Sequence, residues 1–209
     1  MSYIFFIVLS AFEGIAIFTA TLSIYRFRIQ KYLWQVSTIS VLQALISHFL
    51  RNEQEFSEFV PIISLGLIIF LLYVFVVNSF FWSVVMAVTG FVYHSLFQTI
   101  IIFTLEWSGI ATLESIQSNT VDSYIGLITS SLVTIATSLF LYHKGLGLSF
   151  DFDRFRFKGE NGIIMTIITA ALLSLVYICV RNDLNTAAIA FGVCLIFLLF
   201  FLIKKEFKR

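Results

Sequence analysis

The sequence predicts an all-α membrane protein, a single bundle of transmembrane helices. Apolar residues make up 59% of the 209 residues and charged residues only 12%, whereas a soluble domain usually has ~45–50% and ~25%. The 25 Phe exceed what a soluble core of this size can bury. Apolar residues also fall into seven runs of about 20 residues, the length that a helix needs to cross a bilayer. Because backbone groups in lipid must pair within their own segment, each run is expected to be helical.

The first four runs are separated by basic, polar or very short segments. They cover Tyr3–Tyr25, Leu33–Leu50, Val60–Val77 and Phe80–Leu105. A basic stretch that begins at Arg26 follows the first run, and the second run is the least apolar. The third run opens with Pro61, which suits a first helical turn. Only Asn78 and Ser79 separate it from the fourth run.

The last three runs complete one transmembrane domain over residues 1–209. They cover Tyr124–Tyr142, Gly162–Val180 and Asn185–Ile203. A charged loop, His143–Asn161, precedes the sixth run, and a short polar turn separates it from the seventh. Seven spans use ~140 residues and leave ~70 for tails and loops. That remainder is too small for a soluble catalytic or nucleic-acid-binding domain, so we expect no nucleic-acid partner.

The distribution of basic residues predicts the orientation of the bundle. An extracellular amino terminus places 11 of the 13 Lys and Arg residues on the cytoplasmic side, as the positive-inside rule requires. Only Arg51 and Arg181 then lie outside. Without the weakly apolar second span, the basic loop before the sixth run would lie outside as well. The charges therefore favour seven spans, an extracellular amino terminus and a cytoplasmic carboxyl terminus.

Signatures of the common enzyme classes are missing from the sequence. It contains no G-x-S-x-G, H-E-x-x-H or P-loop motif. Cys179 and Cys194 both lie inside apolar runs, and the three His lie on other segments. This arrangement offers neither a thiol nucleophile nor metal-ligand spacing. We expect no enzymatic activity, no cofactor and no metal.

Four polar residues within the apolar runs are the candidate site. Glu13 lies ~15 Å and His94 ~16 Å from the predicted outer ends of their runs, and an intramembrane carboxylate is by default a functional hypothesis. Gln98 shares a helix face with His94 because the two are four residues apart, and Gln43 lies at a similar depth to Gln98. Glu13, Gln43, His94 and Gln98 are therefore expected to form a polar cluster, either a ligand site or a set of hydrogen bonds that only fixes helix packing.

The loop before the sixth run reads FDFDRFRFK. Aromatic side chains that alternate with Arg and Lys suit the interface of a membrane with anionic lipids. A short strand or hairpin, suggested by the period of two, and contact with a cytoplasmic partner are the alternatives. The predicted interface residues are Phe150, Phe152, Arg154, Phe155, Arg156, Phe157 and Lys158.

The overall layout resembles a known family of membrane sensors. A basic stretch after the first run, a tight turn between the third and fourth, a long loop before the sixth and the carboxyl-terminal segment ENGIIMTIITAALLSLVYICVRNDLNTAAIAFGVCLIFLLFFLIKKEFKR are similar to the sensor domain of accessory-gene-regulator (AgrC-type) receptor histidine kinases. That family continues into a phospho-accepting His and an ATP-binding domain, which this sequence does not contain. The resemblance implies a small extracellular peptide ligand, a homodimer and a bacterial plasma membrane.

Three functions are compatible with these observations. The leading hypothesis is a non-enzymatic receptor or sensor module of the plasma membrane, which detects a small extracellular signal and relays it through its last helix. The first alternative is a small transporter or channel subunit that uses Glu13 and His94. The second alternative is an interaction or assembly subunit of a larger membrane complex. The lipid bilayer is the expected partner in all three.

The orientation can be tested by labelling introduced cysteines with a membrane-impermeant reagent in intact cells and in inverted vesicles. We expect Glu55→Cys to react only from outside and Arg156→Cys only from the cytoplasmic side, because the positive-inside rule places the two loops on opposite sides. Labelling of position 55 from the cytoplasm, or of position 156 from outside, would contradict the seven-span topology.

Overall fold

A computed structural model describes residues 3–52, 60–110, 121–148, 166 and 184–207, and its regular elements there are all helical. A short 3-10 helix, Ile29–Tyr32, precedes α2, and a π-helical segment, Leu72–Val77, continues α3. The all-α fold predicted from the sequence is therefore confirmed for these residues. The six α-helices are α1 (Tyr3–Ile24), α2 (Leu33–Asn52), α3 (Val60–Leu71), α4 (Phe80–Trp107), α5 (Val121–His143) and α6 (Leu184–Phe207).

Among the described residues, five helical segments are long and apolar enough to cross a membrane, which identifies a multi-pass membrane protein. A shorter apolar stretch, Ile189–Lys204, lies within α6. The predicted sixth run, Gly162–Val180, lies outside the described residues except for Thr166. The five segments are Ile4–Ile24, Ile29–Leu50, Val60–Val77, Phe80–Trp107 and Asp122–His143.

Helix ends agree closely with the predicted runs, and the differences occur where helices extend into polar sequence. α4 ends two residues beyond Leu105, and α5 begins three residues before Tyr124. The 28 residues of α4 span about 42 Å, more than the ~30 Å hydrocarbon core. Its last residue, Trp107, is 93% exposed, and Trp34 near the start of α2 is 82% exposed. Exposed Trp at helix ends is typical of the membrane–water interface.

Helices α1 and α4 form the centre of the bundle. α1 contacts α2, α4 and α5, and α4 contacts α1, α3, α5 and α6. More than half of the most apolar window of α1 and of α4 is buried, against a third or less for α2, α3 and α5. Fully buried side chains from three helices fill the middle of this core: Phe18 and Leu22 from α1, Ile68 and Leu71 from α3, and Val85 and Met86 from α4.

The two central helices approach each other most closely at Thr21 and Gly90. A Cβ atom added to Gly90 would overlap the Thr21 hydroxyl oxygen and lie 3.0 Å from Thr21 Cα. The Thr21 hydroxyl donates to the Ile17 carbonyl at 2.8 Å, so it is satisfied within α1. Small residues at such contacts are typical of helix packing in lipid, where close van der Waals approach replaces the hydrophobic effect.

The carboxyl-terminal end of α1 is tied to the loop that follows α5. Both helices end in a Schellman motif, with Arg26 (φ 55°) and Gly145 (φ 67°) as the left-handed residues. After the motif at the end of α5 the chain turns back toward α1, and the Leu148 amide donates to the Ile24 carbonyl at 2.7 Å. This bond satisfies a carbonyl that the end of a helix leaves unpaired, and it fixes α5 beside α1. The motif bonds are Phe27 to Leu22 and Arg26 to Ser23 in α1, and Leu146 to Leu141 and Gly145 to Tyr142 in α5.

Alanine should affect stability differently at Gly90, which lies in the α1–α4 contact, and at Gly66, which does not. Gly90→Ala should lower the free energy of unfolding by about 1–3 kcal/mol, because the new Cβ has no room beside Thr21. Gly66→Ala, on the exposed side of α3, meets no atom within 4 Å and should be neutral or stabilising by up to about 1 kcal/mol. Denaturant titration in detergent micelles measures both. Equal stability of the two variants would contradict the close approach at Gly90.

Candidate functional site

Glu13 and His94 form a polar pair between the two central helices. The Glu13 Oε1 atom lies 3.6 Å from the His94 Nε2 atom, so the contact expected from their matched depths is present. The His94 side chain is 2% exposed and the Glu13 side chain 22% exposed. An isolated carboxylate is costly in lipid, and the imidazole lies within the range of electrostatic coupling. The separation exceeds hydrogen-bond distance, and His94 Nε2 has no hydrogen-bond partner among the described residues.

The other ring nitrogen of His94 binds a third helix. His94 Nδ1 lies 3.1 Å from the hydroxyl oxygen of Thr134 on α5. Thr129 and Thr137 on α5 donate their hydroxyls to the carbonyls four residues back, whereas the Thr134 hydroxyl faces the ring. If Thr134 donates to Nδ1, the neutral ring carries its proton on Nε2, facing the carboxylate. His94 thereby joins α1, α4 and α5.

All four predicted site residues line one cavity of about 220 Å³. The cavity lies between α1, α2, α3 and α4, and eight of its twelve lining residues are polar. The structure therefore brings Glu13, Gln43, His94 and Gln98 together. The other polar lining residues are Ser10, Ser47, Ser64 and Ser95, and the apolar ones are Ile17, Val60, Pro61 and Phe91.

The predicted site leaves out the four serines and Thr134. Helical spacing points to three of the serines, because Ser10 lies three residues before Glu13, Ser47 four residues after Gln43 and Ser95 three residues before Gln98. Ser64 carries no such signal, since no other polar residue lies near it on α3. Thr134 is one of many hydroxyl residues on α5, and nothing in the sequence distinguishes it from its neighbours.

Fully buried side chains adjoin the cavity lining along three helices. The lining residues run from Ser10 to Ile17 on α1, from Gln43 to Ser47 on α2, from Val60 to Ser64 on α3 and from Phe91 to Gln98 on α4. Phe18 follows the lining on α1, Ile68 follows it on α3 and Met86 precedes it on α4, and these three fully buried residues are called the packed floor. Over the described ranges, the cavity therefore does not continue through the bundle as an open passage.

One wall of the cavity presents an oxygen without a protein partner. Gln43 is 5% exposed, and its Oε1 atom has no hydrogen-bond partner among the described residues. This oxygen lies beside Gly14, where an added Cβ would be 3.3 Å away. A buried acceptor left unpaired costs ~1–3 kcal/mol. An occupant that donates a hydrogen bond to Gln43 Oε1 would remove this cost.

Two other predicted features give no further site. In the described part of the chain, no group of three or more His, Cys, Asp or Glu residues could hold a metal ion. The predicted membrane-interface loop, Phe150–Lys158, lies outside the described residues, and its contact with lipid stays a prediction.

The Glu13–His94 contact predicts non-additive effects on stability. Glu13→Leu and His94→Leu should each destabilise the protein, because each removes one member of the polar contact between α1 and α4. In the double variant the losses should fall short of their sum by ~0.5 kcal/mol or more, since contacting residues couple. Denaturant titrations of the four proteins measure this coupling.

A second cycle supplies the control. His143 is exposed at the end of α5, so Glu13→Leu and His143→Leu should add. Simple additivity of the Glu13 and His94 variants would contradict an energetic coupling between the pair.

Comparison of the chain with protein-family models, curated proteins and solved structures finds no match. The similarity to AgrC-type sensor domains therefore rests on sequence layout alone, and the functional argument rests on the cavity.

Proposed function

We propose that this protein is a non-enzymatic sensor module of the plasma membrane, which binds a small extracellular ligand in the Glu13–His94 cavity and relays its presence through the last helix. The observation that carries the proposal is the convergence of a carboxylate, an imidazole and two amides on one cavity. A concave site with a few convergent polar groups is the usual form of a small-molecule site.

The charge distribution supports an extracellular entrance. The cavity lies in the half of the bundle that contains the amino-terminal end of α1, and the positive-inside rule assigns that end to the outside. A volume of about 220 Å³ suits a small molecule, or one side chain of a larger ligand such as a peptide.

Helix packing supports a route from the cavity to the last helix. α4 carries His94 in the cavity wall and packs directly against α6. At this contact, a Cβ added to Gly192 of α6 would lie 3.6 Å from Leu96 of α4. Leu198 and Leu202, further along α6, are almost fully buried in the same core. A ligand that shifts α4 would therefore shift α6 as well, because a close-packed core transmits displacement.

Transport is the second candidate, and the Glu13–His94 pair favours it. Titratable residues inside membranes often mark ion or proton pathways. The packed floor opposes this candidate in the conformation described, since a transporter must open its site to each side in turn. The two functions therefore differ in whether the cavity becomes accessible from the cytoplasm.

Accessibility of a cavity serine distinguishes the two functions. In a background with Cys179→Ser and Cys194→Ser, Ser64→Cys places a thiol in the cavity wall. We expect a membrane-impermeant, positively charged thiol reagent to label it in right-side-out vesicles and not in inside-out vesicles. Ser131→Cys, a buried α5 position that does not line the cavity, is the matched control and should stay unlabelled from both sides.

Labelling of Ser64→Cys from both sides would reject the sensor in favour of a transporter. Labelling from the cytoplasmic side alone, or from neither side, would contradict an extracellular binding cavity.

A further inference from the structure

Two acceptor groups of the cavity wall, on α1 and α2, can receive hydrogen bonds from a ligand. The Glu13 carboxylate, when ionised, only accepts hydrogen bonds, and the Gln43 Oε1 atom is a further acceptor without a protein partner among the described residues. The Gln43 oxygen lies against Gly14, the residue that follows Glu13. The two acceptors, Glu13 on α1 and Gln43 on α2, therefore line the same cavity. A ligand that pairs with both must donate at least two hydrogen bonds.

The charges in the cavity wall limit the ligand further. None of the twelve lining residues is Lys or Arg, and His94 is the one basic residue among them. An anionic ligand would be repelled by an ionised Glu13 carboxylate. A cationic ligand instead gains a charge-assisted hydrogen bond, roughly twice as strong as one between neutral groups.

The rest of the lining suits a short apolar body. Ile17, Val60 and Pro61 supply apolar surface, and Phe91 supplies an aromatic ring. Phe91 lies three residues before His94, so the two share a face of α4. A cation near such a ring gains a further attraction from the negative face of the aromatic system.

From these three observations we infer that the cavity binds a small organic cation with a primary ammonium group and a short apolar body. The ammonium donates three hydrogen bonds: to the Glu13 carboxylate, to Gln43 Oε1 and to a serine hydroxyl of the wall. This inference rests on the proposed function, because it names the ligand class of the same site.

A matched series of four-carbon probes tests the ligand class on the full 209-residue chain in lipid nanodiscs. n-Butylammonium should raise the midpoint of thermal unfolding in a saturable way, because a ligand that binds the folded state stabilises it. Butyramide, butyrate and tetramethylammonium should leave the midpoint unchanged at the same concentrations. Butyramide lacks the charge, butyrate carries the opposite charge, and tetramethylammonium lacks N–H donors.

Variants locate the effect in the cavity. Glu13→Gln and Gln43→Leu should each raise the half-saturating concentration of n-butylammonium at least tenfold, because each removes one acceptor. Gln35→Leu makes the same chemical change on α2 outside the cavity and should leave it unchanged. If Glu13→Gln does not fold, the half-saturating concentration of n-butylammonium in Gln43→Leu tests the inference by itself. Ser64→Leu should abolish the effect by filling the cavity.

An equal shift with butyrate or butyramide, or an unchanged half-saturating concentration in Gln43→Leu, would overturn the inference. So would the absence of any shift with n-butylammonium. If Ser64→Cys is still labelled from outside alone, the ligand class is wrong while the sensor proposal stands. Labelling from both sides rejects the sensor proposal whatever the ammonium series shows.

Discussion

A carboxylate in the membrane-spanning part of a protein must have a partner, and the contact between Glu13 and His94 meets this requirement. The 3.6 Å separation requires α1 and α4 to lie close together, which Gly90 permits where it meets Thr21. Among the five spans long enough to cross a membrane, those of α1 and α4 are the most buried, and the other described helices pack around them. Both contacts therefore hold α1 against α4. The polar pair does so because breaking it costs free energy, and the close approach at Gly90 does so by packing.

The same pair connects the cavity to the rest of the bundle. His94 contacts Glu13 on one side and Thr134 of α5 on the other, while its helix packs against α6. A change in the partner or the charge of His94 would therefore alter the contacts of α1, α5 and α6 together. Next to the cavity lining, Phe18, Ile68 and Met86 are fully buried in the core, so the described residues leave no open continuation of the cavity there.

Sequence alone predicts the helices well because an apolar run in lipid has one way to satisfy its backbone. The runs Leu33–Leu50 and Phe80–Leu105 reappear as α2 and α4 with ends within two residues. The π-helical segment at Leu72–Val77 was not predicted, because its apolar residues would equally suit an α-helix. The polar cluster was predicted from the depth of each residue in the membrane, which can be counted along the sequence. The sequence does not show which helices are neighbours. The role of Thr134 and the shape of the cavity therefore became clear only in the structure.

The separation of Glu13 and His94 in a lipid bilayer tests the central claim most directly. Solid-state NMR on protein with 13C-labelled Glu and 15N-labelled His can measure carbon–nitrogen dipolar coupling between the carboxyl carbon and the ring nitrogen. The account predicts a coupling consistent with 3.6 Å between Oε1 and Nε2, lost in both Glu13→Gln and His94→Gln. A spectrum without this coupling, or one that either substitution leaves unchanged, would contradict it.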